Sequence, residues 1–384
     1  MTAYDTRHDD PPYIFPVPTR VVFGAGTVDR TGELVREHGE RALVVTGRTA
    51  ARHHGHLDRV LASLAEAGVA AAVYDRISAN PRSDEVDEAA ALARARGTDV
   101  VVGLGGGSAL DAAKGIAVAA GLEASVRDVI GVTLDPGVPV LPLVAVPTTA
   151  GSGSEVTKGA IITDTVRHFR SGVRGEQLFP RTAVVDPDLI ASVPPAVLAE
   201  TAFDALAHAV EGSVAAQATT AGRALAHRSI GLITTHLPAV LGGDRDPAHR
   251  SALSLAALLG GVNVATASTC LPHRLQQAMG SLPGLGISHG RGLAVLYPGW
   301  LRHTEPLAPG PFGELADALG ADSAYAGVER LREAAGLTAR LSDWGVTAAE
   351  LDTLVAGVSG NLGNDPAGAT ADADYLRTLY AEAL

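Results

Sequence analysis

A rhythm in the first 150 residues limits the fold more than any other feature of this chain. Apolar runs of strand length recur at 19–23, 42–45, 69–74, 100–104 and 140–146. Between them lie stretches of helical periodicity that stop at Gly39, Gly68 and Gly97. Parallel strands need crossover connections, usually helices, and those helices cover the sheet on both faces. The alternation therefore predicts a parallel sheet wrapped by helices. Ser83, followed by Asp84 and Glu85, reads as an N-cap with acidic residues at the positive end of its helix. The pattern changes at Pro194-Pro195, a pair suited to a helix start. Beyond it the chain is Ala- and Leu-rich and carries no strand signal. The expectation is an α/β domain over 1–190 followed by an all-α domain over 191–384.

Composition narrows the functional classes. At 384 residues the chain exceeds the usual single domain, and 46% hydrophobic with 19% charged residues describes a folded core. A net charge of −12 argues against a nucleic-acid partner, which requires a basic face. It leaves small anions open, because a local arginine cluster can outweigh the global sign. The single cysteine, Cys270, excludes a disulfide framework, fits a reducing compartment, and reads as a small buried hydrophobe. Residues 1–12 lack the basic and apolar segments of a signal peptide. The uncharged stretch 251–271 is long enough for a membrane span, but Asn263 and Gly260-Gly261 favour a core helix ending in a loop. A cytoplasmic protein with no membrane partner is expected.

Several stretches carry chemistry. The strand at 100–104 runs into Gly105-Gly106-Gly107-Ser108, and a helix follows with Asp111 and Lys114. Such a turn lets backbone N–H groups approach a pyrophosphate at the positive end of a helix; an ordinary tight βα turn is the alternative. Lys114 and Lys158 are the only lysines among 30 basic residues, a hint that a compact ammonium is wanted there. The loop from Val146 to Thr157 is crowded with hydroxyls and small residues able to contact a cofactor closely. Asp204 and His208, four apart in a helical pattern, face the same way, either as a ligand pair or as a surface ion pair. With His273 and His289 they make one carboxylate and three imidazoles, a donor set suited to Fe(II) or Zn(II). His53, His54 and His56 read as a solvated helix end rather than a metal cluster.

The motifs GGGSALDAAK, AVPTTAGSGSEVT, VVDPDLI, FDALAHAVEG and ISHG, in this order over roughly residues 14–300, resemble the iron-containing (group III) alcohol dehydrogenase family, with its dehydroquinate-synthase-like fold. The resemblance implies a dinucleotide-binding α/β domain, a helical domain, and a cleft in which nicotinamide and metal meet. It implies metal ligands Asp204, His208, His273 and His289, and a pyrophosphate on Gly106, Gly107 and Ser108. Thr148, Thr149 and Ser152 would line the nicotinamide side, and Asn80 the adenosine side. The implied activity is hydride transfer between NAD(P)(H) and a small alcohol or aldehyde in a homodimer or larger homo-oligomer. Alternatives are a metal-free maleylacetate reductase, which Asp204 counts against, and a zinc enzyme like glycerol dehydrogenase. A dehydroquinate-synthase-like lyase and a non-catalytic dinucleotide binder are more distant alternatives.

The sequence departs from the family pattern in places. Gln277 stands where many members carry a second histidine, and it cannot titrate as a proton relay. Gly47 replaces the aspartate of NAD-preferring members, and with Arg48 adjacent this favours NADP(H) over NAD(H). His168 or Arg170 occupies the neighbourhood of a common lysine, and the spacing from His273 to His289 is slightly long. Arg274 with Arg167, Arg170 and Arg174 points to an anionic aldehyde such as phosphonoacetaldehyde or a semialdehyde, unless these are surface arginines.

Overall fold

The computed structural model describes residues 13–167, 169–282, 284–366 and 371–384. His168 and the residues 1–12 read for a signal peptide lie outside the described residues. The strands are β1 (Arg20–Phe23), β2 (Arg41–Gly47), β3 (Ala70–Ile77), β4 (Val100–Gly105), β5 (Leu143–Pro147), β6 (Gly159–Asp164), β7 (Phe169–Arg174) and β8 (Thr182–Val185). Six of them form one sheet in the order β1-β8-β5-β4-β2-β3, and every pairing is parallel. Helices α1 (Thr31–Arg36), α2 (Ala50–His53), α3 (His56–Glu66), α4 (Ser83–Ala95) and α5 (Gly107–Leu122) connect these strands. The expected sheet wrapped by helices is therefore present.

The residues explain the layering. β4 reads VVVGLG and is buried at every position, as a central parallel strand must be. Successive side chains point to opposite faces. Leu43, Val45 and Val101 accordingly join one core, while Ala42, Val44, Val100 and Val102 join the other. Gly103 lets α5 lie close: a Cβ there would come within 3.0 Å of Ala113 Cβ and 3.1 Å of Leu110 Cδ2. The ends of the strands are level, with Thr46 opposite Leu104 and Gly105 opposite Pro147. The turns after β2, β4 and β5 thus open along one carboxyl edge, where open α/β sheets bind ligands.

Three local expectations need correction. Ser83 is not a cap: Arg82 precedes the helix, and the Ser83 hydroxyl accepts from Thr165 N at 3.2 Å. It ties α4 to the turn of the antiparallel hairpin β6–β7. That hairpin and β8 were not visible as apolar runs, because β6 buries only alternate residues and β8 has four. The helix after β4 starts at Gly107, so Gly107 and Ser108 lie within its first turn.

From Pro195 onward the described elements are helical: α6 (Pro195–Val214), α7 (Thr220–Leu241), α8 (Pro247–Ala267), α9 (Leu271–Ala278), α10 (His289–Thr304), α11 (Pro309–Leu319), α12 (Ala324–Ala334), α13 (Leu351–Gly357) and α14 (Ala373–Glu382), with short 3-10 turns. Pro195 opens α6, as the proline pair implied. The uncharged stretch is α8 followed by a 96° bend into α9, and no single described helix is long and apolar enough to cross a membrane.

The two parts dock through glycine. A Cβ at Gly151 would sit 2.7 Å from the Thr201 carbonyl oxygen, and one at Gly153 would sit 2.3 Å from Gly261 Cα. Gly153 also has φ 61°, a left-handed conformation that favours glycine. Lys114 braces this loop from below. Its buried Nζ donates to Ser154 Oγ (2.9 Å), Thr157 O (2.9 Å), Thr157 Oγ1 (3.0 Å) and Gly159 O (2.9 Å). A compact ammonium ringed by oxygens explains lysine here in an arginine-rich chain. Gly261→Ala should lower the thermal midpoint, with destabilisation of about 1–3 kcal/mol from overpacking. Gly231→Ala in α7, where a Cβ meets nothing within 4 Å, should leave it level or higher in the same melt.

Candidate active site

Helix α6 builds the floor of the site. Asp204, His208 and Glu211 are spaced four and three residues apart, so they share one face, and all three are buried. α9 supplies His273, also buried, and α10 begins with His289, whose side chain is 31% exposed. The four residues converge. Asp204 Oδ1 lies 3.5 Å from His208 Nε2, 3.6 Å from His273 Nε2 and 3.3 Å from His289 Nε2. The His208 and His273 rings stack at 4.7 Å between centroids, and His273 and His289 stand 5.3 Å apart. Ligand atoms of Asp204, His273 and His289 all lie within 4.8 Å of one another, and His208 is not part of that group.

The donor set fits a divalent cation. Asp204 Oδ1 and His273 Nε2 are buried without a hydrogen-bond partner, a costly arrangement unless a ligand satisfies them. Burial pushes the His208 imidazole down to about 4, so it keeps its lone pair. Burial opposes protonation of His273 too, but Glu211 and Asp204 outweigh it and raise this group to about 9. Burial would raise Asp204, yet His208, His289 and His273 hold it well below the usual carboxylate range. Positive charge is thus favoured beside this carboxylate, and a metal ion can take the place of a proton.

Neighbouring side chains orient the imidazoles. Glu211 accepts from His273 Nδ1 at 2.8 Å and from the Cys270 backbone N at 2.6 Å, and the Tyr297 hydroxyl stands 3.0 Å from it. His289 Nδ1 lies 2.5 Å from Gln276 Oε1. With Nδ1 engaged outward, Nε2 of each ring faces Asp204, where an ion replacing the proton could take its lone pair. Sequence reading assigned no role to Glu211 or Gln276. Glu211 lies one helical turn beyond His208, so spacing could have found it; Gln276 gave no signal. Cys270 is buried against Glu211, and burial raises its thiol well above the ordinary value, as an inert small hydrophobe.

Two cavities meet in front of this cluster. One, of about 890 Å³, is lined by Gly47, Arg48, Glu85, Gly106, Ser108, Thr148 and Thr149. The other, of about 560 Å³, runs from Asn80, Gly107, Ser108, Thr149 and Ser152 to Asp204, His208, His273, Gln277 and His289. Ser108 and Thr149 belong to both, so they form one continuous cleft. The junction is close-packed: a Cβ at Gly107 would lie 2.7 Å from Ser152 Oγ, and one at Gly106 would lie 3.1 Å from Thr149 Oγ1.

Several sequence-predicted residues stand differently from expectation. Asn80 lines the second cavity rather than the first. The pocket beside Gly47 is not free of carboxylate: Glu85 on α4 lines it, 3.1 Å from the Arg48 guanidinium. Arg167 does not reach the cleft, because Asp164 holds it at 2.5 Å in the hairpin turn. Arg170, Arg174 and Arg274 do line the second cavity. His56 bonds Ser192 at 2.9 Å, and the His53, His54 and His56 group forms no ligand cluster among the described residues.

Comparison with known proteins gives the same placement. Residues 18–187 match the iron-containing alcohol dehydrogenase family, and residues 198–383 match the C-terminal part of the Fe-containing alcohol dehydrogenase family. The chain is 32% identical to the 1,3-propanediol dehydrogenase of Klebsiella pneumoniae, across 87% of this chain and 89% of that one. A solved 1,3-propanediol oxidoreductase superposes with a TM-score of 0.91 at 28% identity, covering 97% of this chain and 100% of the other. The sulfoacetaldehyde reductase of Bifidobacterium kashiwanohense, solved in complex with NAD+, gives 0.86 at 25% identity over 97% and 99%. The chain belongs to the iron-containing alcohol dehydrogenase family.

Proposed function

We propose that this chain moves a hydride between NAD(P)(H) and a small alcohol or aldehyde, with Asp204, His208, His273 and His289 holding Fe(II) or Zn(II). One observation carries the reading: three imidazole nitrogens stand within 3.6 Å of one buried carboxylate oxygen, in a cleft continuous with a triple-glycine turn. A divalent ion there supplies Lewis acidity toward a carbonyl or alkoxide oxygen. The chain does the rest. Gly106 and Gly107 leave room for a pyrophosphate against backbone N–H groups, and the positive end of α5 favours its charge. Thr148, Thr149, Ser152 and Asn80 offer hydroxyl and amide groups along the nicotinamide half. Glu211 and Gln276 fix the rings of His273 and His289. Gln277 lines the cleft and cannot titrate, so proton exchange with the substrate oxygen falls to water or to a cofactor ribose hydroxyl.

The choice between NADP(H) and NAD(H) turns on Arg48. Freed from Glu85 it can meet a 2′-phosphate, and held there it leaves a carboxylate beside the ribose. The substrate is a small aldehyde or its alcohol, with phosphonoacetaldehyde and semialdehydes as the anionic members of that class. The NAD+ in the Bifidobacterium relative supports a nicotinamide cofactor. We place the domain division at 1–190 and 191–384, and read the protein as a cytoplasmic homodimer or larger homo-oligomer.

Protein reconstituted anaerobically with Fe(II) or Zn(II) should reduce short aldehydes with NADH or NADPH. Asp204→Ala and His208→Ala should lose bound metal and turnover together while retaining the far-ultraviolet circular dichroism of the parent. Activity that survives exhaustive chelation would overturn the reading in favour of metal-free chemistry like that of maleylacetate reductase. Glu211→Gln should weaken metal affinity by about 10–100-fold, measured by competition with a chelator, because it removes the anionic acceptor behind His273.

A further inference from the structure

Three guanidinium groups line the second cavity with no ion-pair partner among the described residues. Arg170 and Arg174 are four apart on β7, so both leave the same face of the strand. Gly172 lies between them, and a Cβ there would meet the Arg174 Cζ at 3.0 Å, so the missing side chain makes room for that head group. Arg174 finds only the Gly172 carbonyl oxygen, at 3.3 Å. Arg274 follows His273 directly on α9 and is itself buried. Its Nη2 has the Ser268 hydroxyl at 3.3 Å and the Thr269 carbonyl oxygen at 3.5 Å. Gly360 opens the space beside it, since a Cβ there would lie 3.1 Å from Arg274 Cδ. The Nε atoms of Arg170 and Arg274 are buried and unpartnered. The contrast with Arg167 on the same hairpin, which pairs with Asp164, is direct.

Uncompensated guanidinium groups are costly to bury, and packing like charges together adds to that cost. Burial lowers the pKa of all three, and Arg174 lowers that of Arg274 further, as neighbours of like sign do. Asp111 and Glu211 act on Arg170 and Arg274 from outside ion-pair distance. Two of the guanidinium groups come from the hairpin and one from α9, next to a candidate metal ligand. We propose that Arg174 and Arg274, with Arg170 beside them, clamp an anionic head group (carboxylate, phosphonate or sulfonate) on a short aldehyde whose carbonyl lies at the Asp204 cluster. The proposal rests on the hydride-transfer reading above. The substrate is short because its head-group site and its reaction site are held by consecutive residues, Arg274 and His273.

The test compares kcat/KM of the Fe(II)-loaded enzyme for succinic semialdehyde, phosphonoacetaldehyde, sulfoacetaldehyde and butanal. The best anionic aldehyde should exceed butanal by about 100-fold, the size of a lost charge-assisted contact in a buried site, and its identity names the head group. Arg174→Gln and Arg274→Gln should each collapse that preference, chiefly through KM, whereas Arg167→Gln should keep it. Equal efficiency on butanal and every anionic aldehyde overturns the clamp. A binding arm independent of turnover uses methylphosphonate, methanesulfonate and acetate as probes in thermal melts. One of them should raise the midpoint of the parent and lose that effect in the Arg174→Gln/Arg274→Gln double variant. If none shifts the parent, the clamp is wrong even where aldehydes turn over. If a probe binds but no aldehyde turns over with either cofactor, the hydride-transfer reading fails and the anion site stands.

Discussion

The near-contact of two backbones at Gly153 and Gly261 sets the geometry on which the site depends. The loop after β5 carries Thr148, Thr149 and Ser152 on one side of that contact, and α8 leads into the helix bearing His273 on the other. Any side chain at the junction would wedge the sheet edge away from the helices and widen the cleft by an atom's breadth or more. Lys114 and Asp111 stiffen the same loop from the sheet side, the latter accepting from the Ser154 hydroxyl at 2.6 Å and from Ile161 N at 2.9 Å. A tightly packed junction and a braced loop give the cleft its fixed width.

Buried charge is handled in two opposite ways within this small region. The Lys114 ammonium is enclosed by four oxygens, so its burial is compensated by the protein itself. Arg170, Arg174 and Arg274 are not enclosed in that manner. The Asp204 cluster resembles the arginines: Asp204 Oδ1 and His273 Nε2 lack hydrogen-bond partners although they are buried. Satisfied groups of the first kind build the frame. Unsatisfied groups of the second kind line the cleft, where a ligand can complete them.

Much of the fold was legible because local pattern and global position agree. The core of β2, β4 and β5 is apolar on both faces, and parallel central strands have no other way to look. The hairpin carries no apolar run because β6 buries only alternate residues and β7 turns Arg170, Gly172 and Arg174 to one face, and Ser83 was misread because its hydroxyl bonds Thr165, 82 residues away. No local rule anticipates a partner at that distance. Asp204 and His208 declared themselves by helical spacing and Glu211 could have done so, whereas His273, His289 and Gln276 come together only through the packing of α9 and α10 on α6. Glu85 lies far along the chain from Gly47, which is why the pocket beside β2 read as free of acid.

The four clustered side chains that face the cleft all leave helices, α6, α9 and α10, and none leaves the sheet. The glycine turn and the hydroxyl loop opposite them belong entirely to the sheet edge. The Gly153–Gly261 contact is thus what sets the gap between the two groups of side chains, while each group is held together by its own part of the fold. The arrangement is a vice, one jaw carrying the Asp204 cluster and the other the glycine turn, and of the three unpaired arginines only Arg170 and Arg174 sit on the sheet-side jaw.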